Sequence, residues 1–121
     1  MAEIFENSKC WQKAKELCLE TYRLLPKLPH EETYALKDQL RRAAVSIPSN
    51  IAEGLSRQSI KEQFVFINIA IGSTYEVMTQ VDISMELNYL NKEDKEKIFE
   101  ISNQALKLMN GYKRFMREND K

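Results

Sequence analysis

The stretch Leu40–Arg57, LRRAAVSIPSNIAEGLSR, limits what this chain can fold into more than any other. Apolar residues recur there at helical spacing, run straight through Pro48 and stop at Gly54. An interior proline has no amide proton and collides with the carbonyl four residues back, here Ala44, at a cost of roughly 3 kcal/mol. A helix that keeps one must be compensated. Ser46, Ser49, Asn50 and Glu53 are the polar groups able to satisfy a freed carbonyl or cap a restarted turn. The reading is a helix kinked at Pro48 and stopped at Gly54 in a left-handed C′ conformation.

The rest of the chain reads as three further helices. Helix one runs from an N-cap at Ser8 to Leu25, with Trp11, Ala14, Cys18, Thr21 and Leu25 spaced three or four apart, and Pro26 and Pro29 end it. Helix two begins between His30 and Thr33, with Glu31 and Glu32 near its positive dipole end, and turns Leu36, Leu40, Ala43, Ala44, Ile47 and Ile51 inward. Helix three opens on a Ser59–Glu62 capping box. From Gln63 to Tyr75 it carries no charge, and Phe64, Val65, Phe66, Ile67, Ile69 and Ile71 point nearly all round its axis. Asn68, Ser73 and Thr74 interrupt the run, which is too short to span a bilayer. Burial of a second face by another subunit explains it, with Phe66 and Ile69 as the expected interface. Helix four starts at an Asn91–Asp94 cap and places Ile98, Ile101, Ala105, Leu108, Tyr112 and Phe115 on a bundle seam. A second stripe of Phe99, Leu106, Met109 and Met116 widens that face. Short connections make consecutive helices antiparallel. The expected fold is all-α, an up-down-up-down four-helix bundle forming one domain over residues 1–121, with disorder confined to the tails, chiefly Arg117–Lys121.

Composition narrows the function by exclusion. With 43% hydrophobic and 30% charged residues among 121, a core can form without metal or disulfides. Cys10 and Cys18 stand about 12 Å apart along one helix, too far to bridge, and read as buried free thiols. His30 is the only histidine, and neither a two-histidine site nor a Glu-x-x-His motif exists, so no metal or di-iron chemistry is expected. Gly54, Gly72 and Gly111 lie too far apart for a phosphate-binding loop. No serine sits in a nucleophile elbow. No catalytic residue, cofactor or small-molecule substrate is indicated, and the N-terminus lacks a secretion signal, which places the chain in the cytoplasm.

Eighteen basic and eighteen acidic side chains give a formal charge of zero, so attraction to nucleic acid has to be local. Two groups qualify. Lys107, Lys113, Arg114 and Arg117 fall in a stretch, Leu106–Arg117, without an acidic residue, and repetition around an oligomer would make them a ring of positive charge. Lys37, Arg41 and Arg42 form the second group, although Arg41 and Arg42 have Glu31, Asp38 and Glu53 as partners within the chain.

Three segments carry a resemblance: Trp11–Leu17 (WQKAKEL), Leu40–Gly54 and Phe66–Tyr75 with its Ile-Ala-Ile-Gly-Ser. They resemble the four-helix-bundle family associated with 23S rRNA intervening sequences, across nearly the whole chain. The family pattern RRAAVSIPxNIAEG is reproduced with Ser49 at its variable position. Arg42, Ser46, Pro48, Asn50, Glu53 and Gly54 match it position by position and are read as shaping the kink and the helix end. The resemblance implies a small bacterial protein, often encoded within insertions of the large ribosomal RNA gene, that assembles as a ring-like homopentamer. The family is similar to accessory proteins of diversity-generating retroelements, which are basic pentamers that bind nucleic acid and a reverse transcriptase. The neutral charge of this chain departs from them. Two functions follow as expectations: a non-enzymatic oligomeric scaffold that touches RNA or DNA through local basic patches, or an adaptor that binds a protein partner without nucleic acid.

Overall fold

The structure is a computed structural model, and it describes residues 5–119. Four helices dominate it: α1 (Lys9–Leu24), α2 (Leu36–Ser56), α3 (Ile60–Glu86) and α4 (Lys92–Glu118). Single helical turns at Leu25–Lys27 and His30–Glu32 lie between α1 and α2. Each helix packs against two others, α1 on α2 and α4, and α3 on α2 and α4, so the four close a square around one core. Leu17, Leu40, Ile47, Ile51, Ile67, Val77, Val81, Ile98 and Met109 fill it, all shielded from water.

Local chemistry explains where the helices begin. Ser8 Oγ accepts the Trp11 amide at 3.2 Å and Ser59 Oγ accepts the Glu62 amide at 3.1 Å, each satisfying a donor that the first turn leaves orphaned. At α4 the box is complete, with Asn91 Oδ1 accepting from the Asp94 amide at 2.7 Å and Asp94 Oδ2 accepting from the Asn91 amide at 3.1 Å. The turn from α3 to α4 passes through Asn88 at φ 67°, a left-handed conformation that asparagine tolerates.

Cross-helix pairs set the register. Gln39 meets Gln80 and Ser46 meets Ser73, so numbers rise on α2 as they fall on α3. The same opposition holds for Glu20–Lys97 and Lys27–Asp94 between α1 with the turn after it and α4, and for Asn68–Lys113 and Asp82–Lys95 between α3 and α4. Polar residues enter the core by bonding their own helix. Thr21, Thr74 and Ser84 each donate a hydroxyl to the carbonyl four residues back at 2.8 Å. Among the described residues only Gln80 Oε1 and Ser102 Oγ are buried without a partner.

Several expectations need correction. α2 begins at Leu36 rather than between His30 and Thr33, because those residues close a separate single turn. Gly54 does not stop the helix: α2 continues to Ser56, and no glycine among the described residues has a positive φ. The reason for glycine there is contact, since an added Cβ would stand 3.2 Å from Ile67 Cδ1, 3.3 Å from the Gln63 carbonyl oxygen and 3.3 Å from Phe66 Cβ. On α1 the buried positions are Cys10, Ala14, Leu17, Thr21 and Leu24, with Trp11 and Cys18 only half-buried. On α4, Leu106, Met109 and Met116 lie in the core and Phe115 does not, being 59% exposed. Arg117 and Glu118 belong to the last turn of α4 rather than to a disordered tail, and residues 120 and 121 lie outside the described residues.

Candidate nucleic-acid and assembly surfaces

The proline motif is where the sequence concentrated its polar groups, and two of them, Ser46 and Asn50, are bonded to one another. Asn50 Nδ2 donates to the Ser46 carbonyl at 2.8 Å and to Ser46 Oγ at 2.9 Å, and Ser73 Oγ of α3 donates to Ser46 Oγ at 2.8 Å. The turn around Pro48 is thereby tied across to α3. One helical turn on, Arg57 reaches back to Glu53 Oε2 at 2.7 Å and lies over the Phe66 ring at 4.8 Å. Arg42 Nε pairs with Asp38 Oδ2 at 2.9 Å, and Arg41 pairs with the other oxygen of the same carboxylate. Arg42 and then Arg41, as hydrogen-bond donors, hold the Asp38 carboxyl below its ordinary range. Both arginines are thus engaged within their own helix, and Arg41 and Arg42 are less available to phosphate than their sequence proximity suggested.

The C-terminal basic group divides into two pairs. At about 100° per residue, Lys107 and Arg114, seven apart, share one face, while Lys113 and Arg117, four apart, share another. The second pair faces α3. Lys113 Nζ donates to Asn68 Oδ1 at 2.7 Å, and Lys113 and Arg117 approach the Phe64 ring centroid at 5.6 Å and 5.7 Å. Lys107 and Arg114 are exposed and have no salt-bridge partner among the described residues. Lys61, exposed in the first turn of α3, stands at the same end of the bundle and was missed by sequence reasoning, because it is distant in the chain from the α4 group.

Neutrality of the chain hides an axial separation of charge. The half of the bundle made of residues 5–16, 46–73 and 105–119 holds nine basic and five acidic side chains. The other half, residues 17–45 and 74–104, holds eight basic and eleven acidic. The basic half is also where the C-terminal group stands. The acidic half has a shallow groove of about 350 Å³ lined by Tyr75, Met78, Thr79, Asp82, Lys95 and Phe99. The Lys95–Asp82 ion pair, at 2.7 Å, lies in its wall, with Lys95 also 5.2 Å from the Phe99 ring.

The two expected interface residues part company. Phe66 is half-buried against α2 at the Gly54 contact. Ile69 faces away from both neighbours, 44% exposed, on an outward stripe with Val65 at 51% and Gly72. An added Cβ at Gly72 would meet nothing within 4 Å.

The cysteines are free. Burial pushes the Cys10 thiol up to about 12 and also raises Cys18, which keeps both protonated and poorly nucleophilic near neutrality. Among the described residues no group of three or more His, Cys, Asp or Glu side chains is arranged to hold a metal, and no helix is long and apolar enough to cross a membrane.

The model of one family, described as 23S rRNA-intervening sequence protein, matches residues 6–111. Among curated proteins no sequence matches. The fold is similar to the crystal structure, at 1.70 Å resolution, of a protein with unknown function from the S23 ribosomal protein family of Bacteroides thetaiotaomicron VPI-5482. The TM-score is 0.79 at 24% identity, over 86% of this chain and 97% of that one, a likeness of fold.

Proposed function

Because the chain belongs to the 23S rRNA-intervening sequence protein family, we propose that it is a non-enzymatic cytoplasmic scaffold: a single-domain helical bundle that closes into a homo-oligomeric ring and contacts RNA or DNA at its basic end. The outward face of α3 carries this reading. Val65 and Ile69 are exposed within a stretch, Gln63–Tyr75, that has no charged residue to hold it in water. Five copies is the number that the family resemblance implies. The opposed cross-helix pairs support the up-down-up-down arrangement, and the Asn50–Ser46–Ser73 bonds support a kink at Pro48 held against α3.

Nucleic-acid contact draws on Lys107 and Arg114, exposed and without a salt-bridge partner among the described residues, with Lys113 and Arg117 beside them on Phe64. A single chain offers few phosphate contacts. A ring repeats them on one side of the assembly and raises their effective concentration along a strand. Sedimentation tests the assembly, and a mass of one subunit at micromolar concentration would sink it. A mobility-shift titration at two ionic strengths tests the contact, because phosphate-driven binding must weaken steeply with salt.

The adaptor reading has its own observation. Ile83 and Leu87, 43% and 49% exposed, lie at the acidic end, away from the basic group. A protein partner that co-purifies without nucleic acid is its signature.

A further inference from the structure

Phe115 is exposed where the other four phenylalanines are half-buried, and among the exposed aromatic rings, with Tyr22, Tyr34 and Tyr75, it is the one on the basic stretch of α4. Its 59% exposure keeps apolar surface in water at about 25 cal/mol per Å², while its neighbour Met116 occupies the core. Nothing within the described chain accounts for this: the ring belongs to no aromatic pair and lies under no cation. One turn earlier stands Gly111. It has no positive φ, and a Cβ there would meet only Arg114 Nη2, at 3.8 Å. Glycine inside a helix costs roughly 0.5–1 kcal/mol relative to alanine, and packing gives no reason for it here. On the same side of α4 are Lys107 and Arg114, two exposed cations with no salt-bridge partner among the described residues, about 10.5 Å apart along the axis.

We infer that this strip of α4 binds single-stranded nucleic acid, with a base stacked on Phe115 across the bare backbone at Gly111 and phosphates on Lys107 and Arg114. The inference rests on the nucleic-acid reading above and narrows it to one class of ligand. Charge complementarity selects a polyanion, since the stretch Leu106–Arg117 contains no acidic residue. The exposed ring then selects the single strand. Bases in a duplex already stack on one another, whereas an unpaired base presents a free face, and each such stack is worth about 1–3 kcal/mol. Glu118, three residues beyond Phe115, closes the strip with a negative charge, so the strand lies toward Lys107 rather than over the helix end.

The test is fluorescence anisotropy with a labelled single-stranded RNA, a DNA of the same sequence and a duplex of matched composition, each at two salt concentrations. Phe115→Ala should weaken binding of both single strands roughly tenfold, leave their salt dependence unchanged and leave duplex binding alone. Phe115→Tyr should restore it. Lys107→Gln with Arg114→Gln should instead flatten the salt dependence. A difference between the RNA and DNA arms tells which strand is preferred. Unchanged single-strand affinity in Phe115→Ala, or an equal loss on the duplex, overturns the stacking site while the broader reading stands. Absence of wild-type binding to any probe at low salt overturns both.

Discussion

The two sides of α3 meet glycine for opposite reasons. On the side toward α2, Gly54 of α2 is closely met by Ile67, Gln63 and Phe66, and an added methyl group would press on all three at 3.2–3.3 Å. On the outward side, Gly72 faces empty space, with Val65 and Ile69 exposed along the same stripe. The first glycine is explained by the fold. The second carries the helix cost of glycine with no contact in return, which is what a surface waiting for another backbone looks like. A residue type therefore says little until its neighbours are known.

The contrast can be broken at four points, the largest effect first. Ile69→Lys puts a charge in the outward stripe and should reduce the sedimenting mass to one 14.2 kDa subunit while leaving the helical circular dichroism intact. Persistence of a multimer would move the contact elsewhere. Phe66→Glu is a poorer probe of assembly, because its side chain packs against α2 and its loss would damage the bundle itself. Ile67→Ala, two residues away and fully buried, should cost about 2–5 kcal/mol in denaturant unfolding, against less than about 0.5 kcal/mol for Ile69→Ala in a dissociated subunit. Equal costs for the two would erase the distinction between the faces. Gly54→Val should destabilise by about 2 kcal/mol, since overpacking a tight contact costs about 1–3 kcal/mol. Gly72→Ala should do the reverse and raise the stability of a dissociated subunit by about 0.5–1 kcal/mol. If Gly72 meets a second copy, the same substitution weakens association, and the two measurements then move in opposite directions.

What the sequence made legible was whatever depends on near neighbours in the chain. The caps at Ser8, Ser59 and Asn91 are local chemistry, and each starts its helix as expected, although at Ser59 only the serine half of the expected box forms. The pairing of Arg41 and Arg42 with Asp38 is likewise set by spacings of three and four. Contacts between helices were illegible. Gly54 has the look of a helix stop because a C-terminal glycine is the commoner use, and only the proximity of Gln63 and Ile67 reveals a close crossing. Phe115 fits a seam by spacing, but α4 carries two apolar stripes and the bundle buries Met109 and Met116. The four C-terminal cations look like one cluster until Phe64, from another helix, draws Lys113 and Arg117 aside.

The axial separation of charge has a colloidal consequence. A molecule with pI near 6.6 has almost no monopole at neutral pH, so its longest-range electrostatic property is its dipole. Dipoles attract head to tail, basic end to acidic end, and no net repulsion opposes the approach. At low ionic strength the protein should therefore form columns or precipitate, and moderate salt should dissolve it, because a Debye length near 10 Å at about 0.1 M screens one end from the next. In an assembly whose copies point the same way the dipoles add, so salting-in should be stronger for the assembled protein than for Ile69→Lys subunits. Light scattering across a dilution series in salt would register the difference without any ligand present.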